Sequence, residues 1–258
     1  MHVIACQLDI RWEDKPANFA RTRELVAGVA RPGALVVLPE MFATGFSMKV
    51  GRVDEGEERP TERFMAELAR ELGLYVCGGV VTRAADGLGL NQSLTVGPDG
   101  AERARYSKCH PFSFAQEDRY YAKGSGPLLY PCGAFTVAPL VCYDLRFPEV
   151  FRIGARRGAQ VFTVIANWPQ RREGHWLALL QARAIENQAY VIGVNRCGDD
   201  PWLHYGGRSL IIDPRGTVLA DAGSEPGCIA AELDLDALRA YRAEFPALAD
   251  IRPEFVPD

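Results

Sequence analysis

Apolar runs and one-sided apolar patterns alternate along the first half of the chain. Short runs rich in β-branched residues predict buried strands at residues 3–8, 34–38 and 74–81. Stretches with apolar residues on one side predict helices at residues 16–30 and 61–72. Residues 93–96 and 103–106 flank Gly97-Pro98-Asp99-Gly100, a sequence typical of a hairpin turn. This order of elements indicates an α/β fold.

The second half repeats the order. It predicts strands at residues 137–141, 161–165 and 190–194, helices at 148–157 and 176–188, and a hairpin after 209–212. The two hairpin turns align, Pro98 with Pro214 and Gly100 with Gly216, at an offset of 116 residues. Two sheets that each carry helices on one face can bury their bare faces together. We therefore predict a four-layer α-β-β-α sandwich with mixed sheets and an internal pseudo-twofold duplication.

Composition describes a globular protein. The 258 residues are 48% hydrophobic and 24% charged, and without a linker between the halves they predict a single domain over residues 1–258. Residues from about 245 to 258 are rich in proline and charge and predict a C-terminal tail. A net charge of −4 argues against a nucleic-acid binder, and no apolar run is long enough for a membrane span. Because no basic leader precedes the first strand, we expect a cytoplasmic protein.

Cysteine and lysine usage narrows the chemistry. Seven scattered cysteines without a CxxC pair disfavour a disulfide framework and a zinc site. The sequence has no HExxH pattern, glycine-rich phosphate loop or GxSxG elbow, so we predict no metal and no cofactor. Among 29 basic residues, four are lysines: Lys15, Lys49, Lys108 and Lys123. A lysine kept among so many arginines suggests a need for a compact, titratable amine.

Three predicted strands end in reactive residues. Glu40 follows residues 34–38, Lys108 follows the first hairpin, and Cys142 follows residues 137–141. Active sites of such sheets gather at strand ends. These three groups suit addition to a carbon–nitrogen centre. The ammonium lowers the thiol pKa and stabilises an oxyanion, while a carboxylate with a raised pKa moves the proton.

Each of these residues also has a common structural explanation. Cys142 alone fits a small buried hydrophobe, Glu40 a helix cap or ion pair, and Lys108 a solvated surface side chain. The chemical interpretation therefore depends on the three occurring together.

Other polar residues give weaker signals. His110 and His175 suggest a Cys–His dyad, but neither has an orienting acid beside it in the sequence. Asp144 and Arg146 fit a local ion pair that orients the turn better than a catalytic acid and a substrate clamp.

The three strand ends resemble the motifs of the nitrilase superfamily of carbon–nitrogen hydrolases. The motifs are Leu38-Pro39-Glu40-Met41, Tyr106-Ser107-Lys108-Cys109-His110 and the stretch 141–149, in the order of the family. The resemblance covers nearly the whole chain, including residues 182–191. It implies a catalytic Glu40–Lys108–Cys142 triad, with Glu117 as a supporting carboxylate and the Tyr143 backbone N–H as an oxyanion donor.

Within the superfamily, residues 41–48, 166–169 and 175–176 resemble bacterial omega-amidases. The resemblance implies a small-molecule amide substrate, most closely 2-oxoglutaramate or 2-oxosuccinamate, and a homodimer. Pro111 stands where leucine is common in the family, so we expect the loop over residues 110–114 to be set differently. Candidate substrate-binding residues next to the motifs are Phe42, Phe114, Tyr143, Trp168 and, for the carboxylate, Arg146. Other options for the carboxylate are Lys123, Arg171 and Arg172.

Three alternatives stay open. On the same triad the protein fits an N-carbamoyl or broad aliphatic amidase, and less well a nitrile-hydrolysing enzyme. It also fits a catalytically silent interaction module, although the retained Glu40, Lys108 and Cys142 argue against that. Release of ammonia from a panel of amides separates these possibilities.

Overall fold

Two six-stranded mixed sheets and a two-stranded ribbon make up the β-structure of the computed structural model, which describes residues 1–255. Residues 256–258, the end of the predicted tail, lie outside the described residues. The strands are β1 (His2–Gln7), β2 (Leu35–Val37), β3 (Tyr75–Arg83), β4 (Gly89–Val96), β5 (Glu102–Ser107), β6 (Tyr130–Cys132), β7 (Phe135–Val141), β8 (Val161–Ala166), β9 (Tyr190–Asn195), β10 (Cys197–Asp199), β11 (His204–Gly206), β12 (Leu210–Ile212), β13 (Val218–Asp221) and β14 (Gly227–Glu232).

Six α-helices accompany these strands in the described part of the chain. They are α1 (Lys15–Ala27), α2 (Val50–Val53), α3 (Pro60–Leu72), α4 (Pro148–Arg156), α5 (Glu173–Asn187) and α6 (Leu235–Glu244). Short 3-10 turns cover Ser113–Ala115, Glu117–Arg119, Cys142–Arg146, Gln170–Arg172, Ala247–Asp250 and Pro253–Phe255. None of the helices described in residues 1–255 combines the length and the apolar character that a membrane span requires.

The two large sheets have the same strand order. The first runs β14-β1-β2-β3-β4-β5 and the second β6-β7-β8-β9-β12-β13. In each, three parallel strands continue into an antiparallel hairpin, and one further antiparallel strand closes the other edge. The predicted duplication is therefore present in the topology.

The strands divide their side chains between two layers because successive residues point to opposite faces. On β1, Val3 and Ala5 enter the core between the sheets, while Ile4 and Cys6 face the layer that contains α1 and α3. Helices α4 and α5 cover the second sheet. The sheets meet through contacts such as Thr95 Oγ1 to Tyr130 Oη at 3.1 Å. The predicted four-layer α-β-β-α sandwich is confirmed.

The ends of two helices differ from the predicted ends, because capping residues and adjoining turns set them. Helix α1 ends at Ala27, earlier than predicted, and Asp14 caps its start by accepting a hydrogen bond from Ala17 N. Helix α5 begins at Glu173, three residues before the predicted start, because Gln170–Arg172 forms a 3-10 turn that leads into it. The sequence pattern missed α2, β6, β10, β11, β14 and α6.

Candidate active site

Glu40 lies in the turn that follows β2, where the backbone presses closely on β3. Pro39 O accepts a hydrogen bond from Gly79 N at 3.1 Å. A Cβ atom at Gly79 would come within 2.7 Å of the Glu40 Cα, so only glycine permits this approach. The turn directs the Glu40 carboxylate into the buried space between the sheets.

Lys108, at the end of β5, forms ion pairs with the buried carboxylates of Glu40 and Glu117. Its Nζ lies 2.9 Å from Glu40 Oε1, and 3.1 and 2.9 Å from the two oxygens of Glu117. Burial by itself lowers the pKa of Lys108, but the charges of Glu117 and Glu40 outweigh it and raise that pKa well above its usual value. Lys108 is therefore an ammonium at any physiological pH.

Asn91 of β4 completes this cluster, and the sequence analysis missed it. Its Nδ2 donates to Glu40 Oε1 at 2.7 Å and to Glu117 Oε1 at 2.8 Å. Its backbone carbonyl accepts a hydrogen bond from Lys108 N at 2.9 Å. A buried side-chain amide thus links both carboxylates to the strand that carries the lysine. No motif identifies Asn91, because only the pairing of β4 with β5 places it there.

Asn167, just after β8, holds the other oxygen of Glu40. Asn167 N donates to Glu40 Oε2 at 2.9 Å, and Asn167 Nδ2 donates to Glu40 O at 2.7 Å. Burial would raise the pKa of Glu40, but the Lys108 charge and the Asn91 and Asn167 hydrogen bonds lower it. Burial raises the pKa of Glu117 in spite of Lys108. Our expectation that the Glu40 pKa is raised is wrong, because these donors stabilise its charged form.

Cys142 stands where β7 ends and the 3-10 turn Cys142–Arg146 begins. Its φ of +46° is a left-handed conformation that is strained for a residue with a side chain, and such strain is common at functional positions. Its Sγ lies 3.9 Å from Asn167 O. Burial first, and then the Glu40 charge, raise the pKa of Cys142 well above its usual value, and Lys108 only partly opposes them. The expected lowering of the thiol pKa is therefore wrong for the unliganded protein.

Asp144 organises the turn without Arg146, so the predicted local ion pair is wrong. One Asp144 oxygen accepts hydrogen bonds from Tyr106 Oη at 2.8 Å and Val141 N at 3.1 Å. The other contacts His110 N at 3.0 Å and His110 Nδ1 at 2.8 Å. His110 therefore has a carboxylate partner that its sequence neighbourhood did not reveal.

Neither candidate histidine lines the cavity beside Cys142. The His110 ring stacks on Phe147 with centroids 3.8 Å apart. His175 Nδ1 lies 3.1 Å from a guanidinium nitrogen of Arg146. These contacts give both rings structural roles.

A cavity of about 520 Å³ opens beside Cys142. Four predicted substrate-binding residues line it: Phe114, Tyr143, Arg146 and Trp168. Sequence reasoning missed other aromatic lining residues, Trp12, Phe46, Phe112, Tyr120, Trp202 and Tyr205. They come from segments far apart in the chain, so no local pattern marks them.

Two of the predicted substrate-binding residues, Phe42 and Lys123, lie outside the cavity beside Cys142. The Phe42 side chain is 0% exposed and packs in the core beneath the helices, with its ring centroid 6.3 Å from that of Phe19 and 6.1 Å from that of Phe64. It is absent from the cavity wall, so its predicted contact with substrate is wrong. Lys123 lines a separate depression beside Tyr106.

Positive charge collects on one side of the cavity. Arg146, Arg171 and Arg172 all line it. Within residues 1–255, no carboxylate oxygen lies within 4.0 Å of their guanidinium nitrogens. The Arg146 Cζ lies 4.8 Å from the Trp168 ring centroid, and the Arg172 Cζ lies 5.2 Å from that of Phe112. Burial, and then the nearby charge of Arg171, lower the pKa of Arg172. This wall is therefore suited to an anionic group.

The described residues 1–255 do not offer the ligand geometry of a metal site. Within residues 1–255, no group of three or more histidine, cysteine, aspartate or glutamate side chains is arranged to hold a metal ion. In the cluster of Glu40, Glu117 and Lys108, the ammonium group of Lys108 itself occupies the position between the two carboxylates.

Comparison with known proteins assigns this arrangement to a family. The sequence profile of the carbon-nitrogen hydrolase family matches residues 3–243. The chain belongs to the carbon-nitrogen hydrolase family. The crystal structure of a CN-hydrolase superfamily protein from Xanthomonas campestris superimposes on this carbon-nitrogen hydrolase with a TM-score of 0.92 and 34% identity, covering 98% of this chain and 97% of the other.

Two curated relatives are similar over nearly their whole length. The omega-amidase YafV of Escherichia coli (strain K12) is 36% identical over 252 residues, which are 97% of this chain and 96% of the relative. The 2-oxoglutaramate amidase of Bacillus subtilis (strain 168) is 32% identical over 253 residues, which are 97% and 98% of the two chains. The predicted likeness of this carbon-nitrogen hydrolase to bacterial omega-amidases is confirmed.

Proposed function

We propose that this carbon-nitrogen hydrolase is an omega-amidase that cleaves the terminal amide of 2-oxoglutaramate or 2-oxosuccinamate through a thioester on Cys142. The products are a 2-oxo dicarboxylate and ammonia. The observation that carries the proposal is the buried ammonium of Lys108 between Glu40 and Glu117, beside a cysteine that faces an arginine-lined cavity. The names of the two curated relatives support the substrate class.

Glu40, Lys108 and Cys142 have distinct roles in this mechanism. Because the thiol pKa is raised and the Glu40 pKa is lowered, Cys142 is neutral and Glu40 ionised before substrate binds. Glu40 takes the thiol proton as Sγ attacks the amide carbon, so no free thiolate accumulates. The Lys108 ammonium and the Tyr143 N–H stabilise the tetrahedral oxyanion.

Proton transfer then completes both halves of the reaction. Glu40 returns the proton to the amide nitrogen, the carbon–nitrogen bond breaks, and ammonia leaves a thioester on Cys142. Glu40 next removes a proton from water as its oxygen attacks the thioester carbon. The carbon–sulfur bond breaks, the acid product forms, and Cys142 regains a proton. The hydrogen bonds from Asn91 and Asn167 fix the Glu40 carboxylate throughout.

Arg172 is our candidate for the remote carboxylate of the substrate. Arg146 already contacts His175 and Trp168, whereas Arg172 is half-buried and has its guanidinium over Phe112 at the cavity wall. A half-buried cation that is left without an anionic partner in the complex costs binding energy, so neutral amides of equal length are rejected. We expect kcat/KM for the two 2-oxo acid amides to exceed that for butyramide by about 10²-fold or more.

Ammonia release by wild type, Arg172→Gln and Arg171→Gln tests this assignment. Arg171 is the matched control because it lines the same wall but is exposed. Arg172→Gln should lower kcat/KM for 2-oxoglutaramate at least tenfold and leave the rate with butyramide within about twofold, as expected when one charged contact is lost. Equal rates with butyramide and the 2-oxo acids in wild type would contradict the omega-amidase assignment.

The size of the cavity favours one second candidate. A volume of about 520 Å³ exceeds what a five-carbon acid needs, and it suits a broad aliphatic amidase or an N-carbamoyl hydrolase on the same three residues. Longer amides and carbamoyl amino acids therefore belong in the substrate panel. A protein that releases ammonia from none of them would be the silent interaction module.

Assembly as a homodimer remains a prediction. We expect the outer faces of α4 and α5 to pair across a twofold axis. The 50% exposed Ile185 of α5 supports this surface. Light scattering at micromolar concentration should give twice the mass of one chain, and Ile185→Glu should shift it toward the monomer.

A further inference from the structure

Two thiols lie opposite each other on neighbouring antiparallel strands, away from the cavity. Cys6 is on β1 and Cys228 is on the edge strand β14, and the two are direct partners in the register. Both are free thiols in this structure, and neither lines the cavity beside Cys142. They are 222 positions apart in the sequence, so only folding brings them together.

The register places this pair at a site where side chains approach most closely. Met1 and Leu233 exchange two backbone hydrogen bonds, Leu233 N to Met1 O at 2.9 Å and Met1 N to Leu233 O at 2.7 Å. Hydrogen-bonded and non-hydrogen-bonded pairs alternate along an antiparallel ladder, and this register has no shift before Cys6 and Cys228. That pair is therefore non-hydrogen-bonded, with an expected Cα separation of about 4.5 Å, within the disulfide range.

A second pair on the same face of the two strands supports the assignment of Cys6 and Cys228 as a non-hydrogen-bonded pair. His2 and Glu232 occupy an equivalent position four residues earlier on β1, and their side chains meet at 2.7 Å between Nδ1 and Oε1. The Cys228 Sγ lies 3.7 Å from Leu25 O of α1, in the layer that Cys6 also faces. Both thiol side chains therefore lie on the helix-covered face of the sheet.

Exposure and charge distinguish the two thiols. Cys6 is buried, whereas Cys228 is partly exposed, so Cys228 is the sulfur that a soluble reagent reaches first. Contact with the neighbouring Cys6 thiol, and then the charge of Arg21, lowers the pKa of Cys228. The same contact raises the pKa of Cys6. Cys228 is accordingly the better attacking thiolate.

We propose that Cys6 and Cys228 are a redox-modification site, at which a small-molecule disulfide such as oxidised glutathione converts them to an intramolecular disulfide. The Cys228 thiolate attacks the reagent, its sulfur–sulfur bond breaks, and one thiolate leaves. Cys6 then loses its proton, attacks the mixed disulfide at Cys228 and releases the second thiolate. Two protein thiols are oxidised and one reagent disulfide is reduced to two thiols.

The cross-link would tie the edge strand β14 to β1. Closing a loop of this length restricts the unfolded chain strongly, so the oxidised protein should be the more stable form. Because the pair lies outside the catalytic cluster, the stabilisation is separable from amide hydrolysis. Failure of the substrate assignment above would leave this inference untouched.

Oxidised glutathione is the probe for wild type, Cys6→Ser, Cys228→Ser and Cys109→Ser. Cys109 is the matched control because it is also a partly exposed thiol. Wild type and Cys109→Ser should give a peptide that joins Cys6 to Cys228, faster migration on a non-reducing denaturing gel, and a Tm higher by about 5 °C or more. A Cys142→Ala background, run in parallel, separates modification of the nucleophile from the cross-link.

Both serine variants should lose the joined peptide and the increase in Tm. Cys228→Ser alters a partly exposed position, so it keeps the test decisive should Cys6→Ser fail to fold. Stable attachment of glutathione to Cys228 in wild type, without the joined peptide, would overturn the proposal. An unchanged Tm after complete cross-linking would overturn the stabilising role.

Discussion

The Nδ2 atom of Asn91 donates a 2.7 Å hydrogen bond to Oε1 of Glu40 inside the protein. The same nitrogen reaches Glu117 Oε1 at 2.8 Å, and the Asn91 carbonyl holds Lys108 N. One neutral side chain thereby fixes two carboxylates and the residue that carries their counter-ion. We interpret Asn91 as a positioning residue that keeps Glu40 ionised.

Asn91→Asp should disturb the protonation of Glu40 with little change in shape. In wild type the lowered pKa of Glu40 keeps the acid limb of the pH profile below the ordinary range of a glutamate. A third carboxyl group in this cluster raises the pKa of Glu40, so activity is lost at a higher pH as the solution is acidified. The profile of kcat/KM against pH should show this upward shift, with a loss of roughly 10²-fold at neutral pH.

Gln92→Glu is the matched control for Asn91→Asp. Gln92 is the next residue on β4, and its side chain contacts Thr82 and Ser107 on the opposite face of the sheet. The same change of amide to carboxylate should leave the acid limb in place. An Asn91→Asp profile that coincides with wild type would remove Asn91 from the positioning role.

Lys108→Arg should damage turnover nearly as much as Lys108→Ala. The ammonium is enclosed by Glu40 and Glu117, and the residue is 1% exposed, which leaves no space for a planar guanidinium. Loss of an oxyanion donor costs about 10²–10³ in kcat. Steady-state kinetics measure the effect, and Lys49→Arg, an exposed lysine at the cavity, should stay close to wild type.

Cys142 should react slowly with iodoacetamide at neutral pH. Its raised pKa keeps the thiol protonated there, so the alkylation rate rises with pH and reaches no plateau near the ordinary thiol pKa of about 8.5. Peptide mapping across a pH series measures the rate at this residue. A plateau at or below neutral pH would show a preformed thiolate and contradict proton transfer to Glu40 during attack.

Cys142→Ala and Cys142→Ser should both abolish ammonia release with the fold intact. Alanine has no nucleophile, and a hydroxyl is a poor one beside a weakly basic carboxylate. Mass spectrometry of Glu40→Gln protein with a slow substrate should reveal the acyl group on Cys142. An acyl group on Cys109 instead would contradict the assignment.

Substitution of Phe42 should affect the stability of the fold, whereas substitution of Phe114 should affect substrate binding. Phe42→Leu leaves a poorly filled space in the core and should lower the free energy of unfolding by about 1 kcal/mol without changing KM. Phe114 is 76% exposed at the cavity, so Phe114→Leu should alter KM and change stability by no more than about 0.5 kcal/mol. Denaturant unfolding and substrate titration of both variants make the comparison.

Sequence patterns determined the layers and the three reactive strand ends. Alternation and apolar runs report which faces a strand buries, so the paired hairpins and the parallel strands were predictable from local order. Glu40, Lys108 and Cys142 each lie at or just past the end of such a strand, and strand ends are where active sites of these sheets gather. Because Glu40 and Lys108 follow strands of the first sheet and Cys142 follows a strand of the second, the packing of the two sheets is what brings them together. The family resemblance then added Glu117, which the structure places on Lys108.

Tertiary structure alone decided which polar groups meet and how their protons are held. Asn91, Arg172 and the Cys6–Cys228 pair depend on contacts between segments far apart in the chain, and Phe42 faces the core despite its place beside a motif. The pKa directions of Glu40 and Cys142 reversed our expectation for the same reason. Desolvation and the number of donors around a charge are properties of the packed interior, and a one-dimensional pattern carries neither.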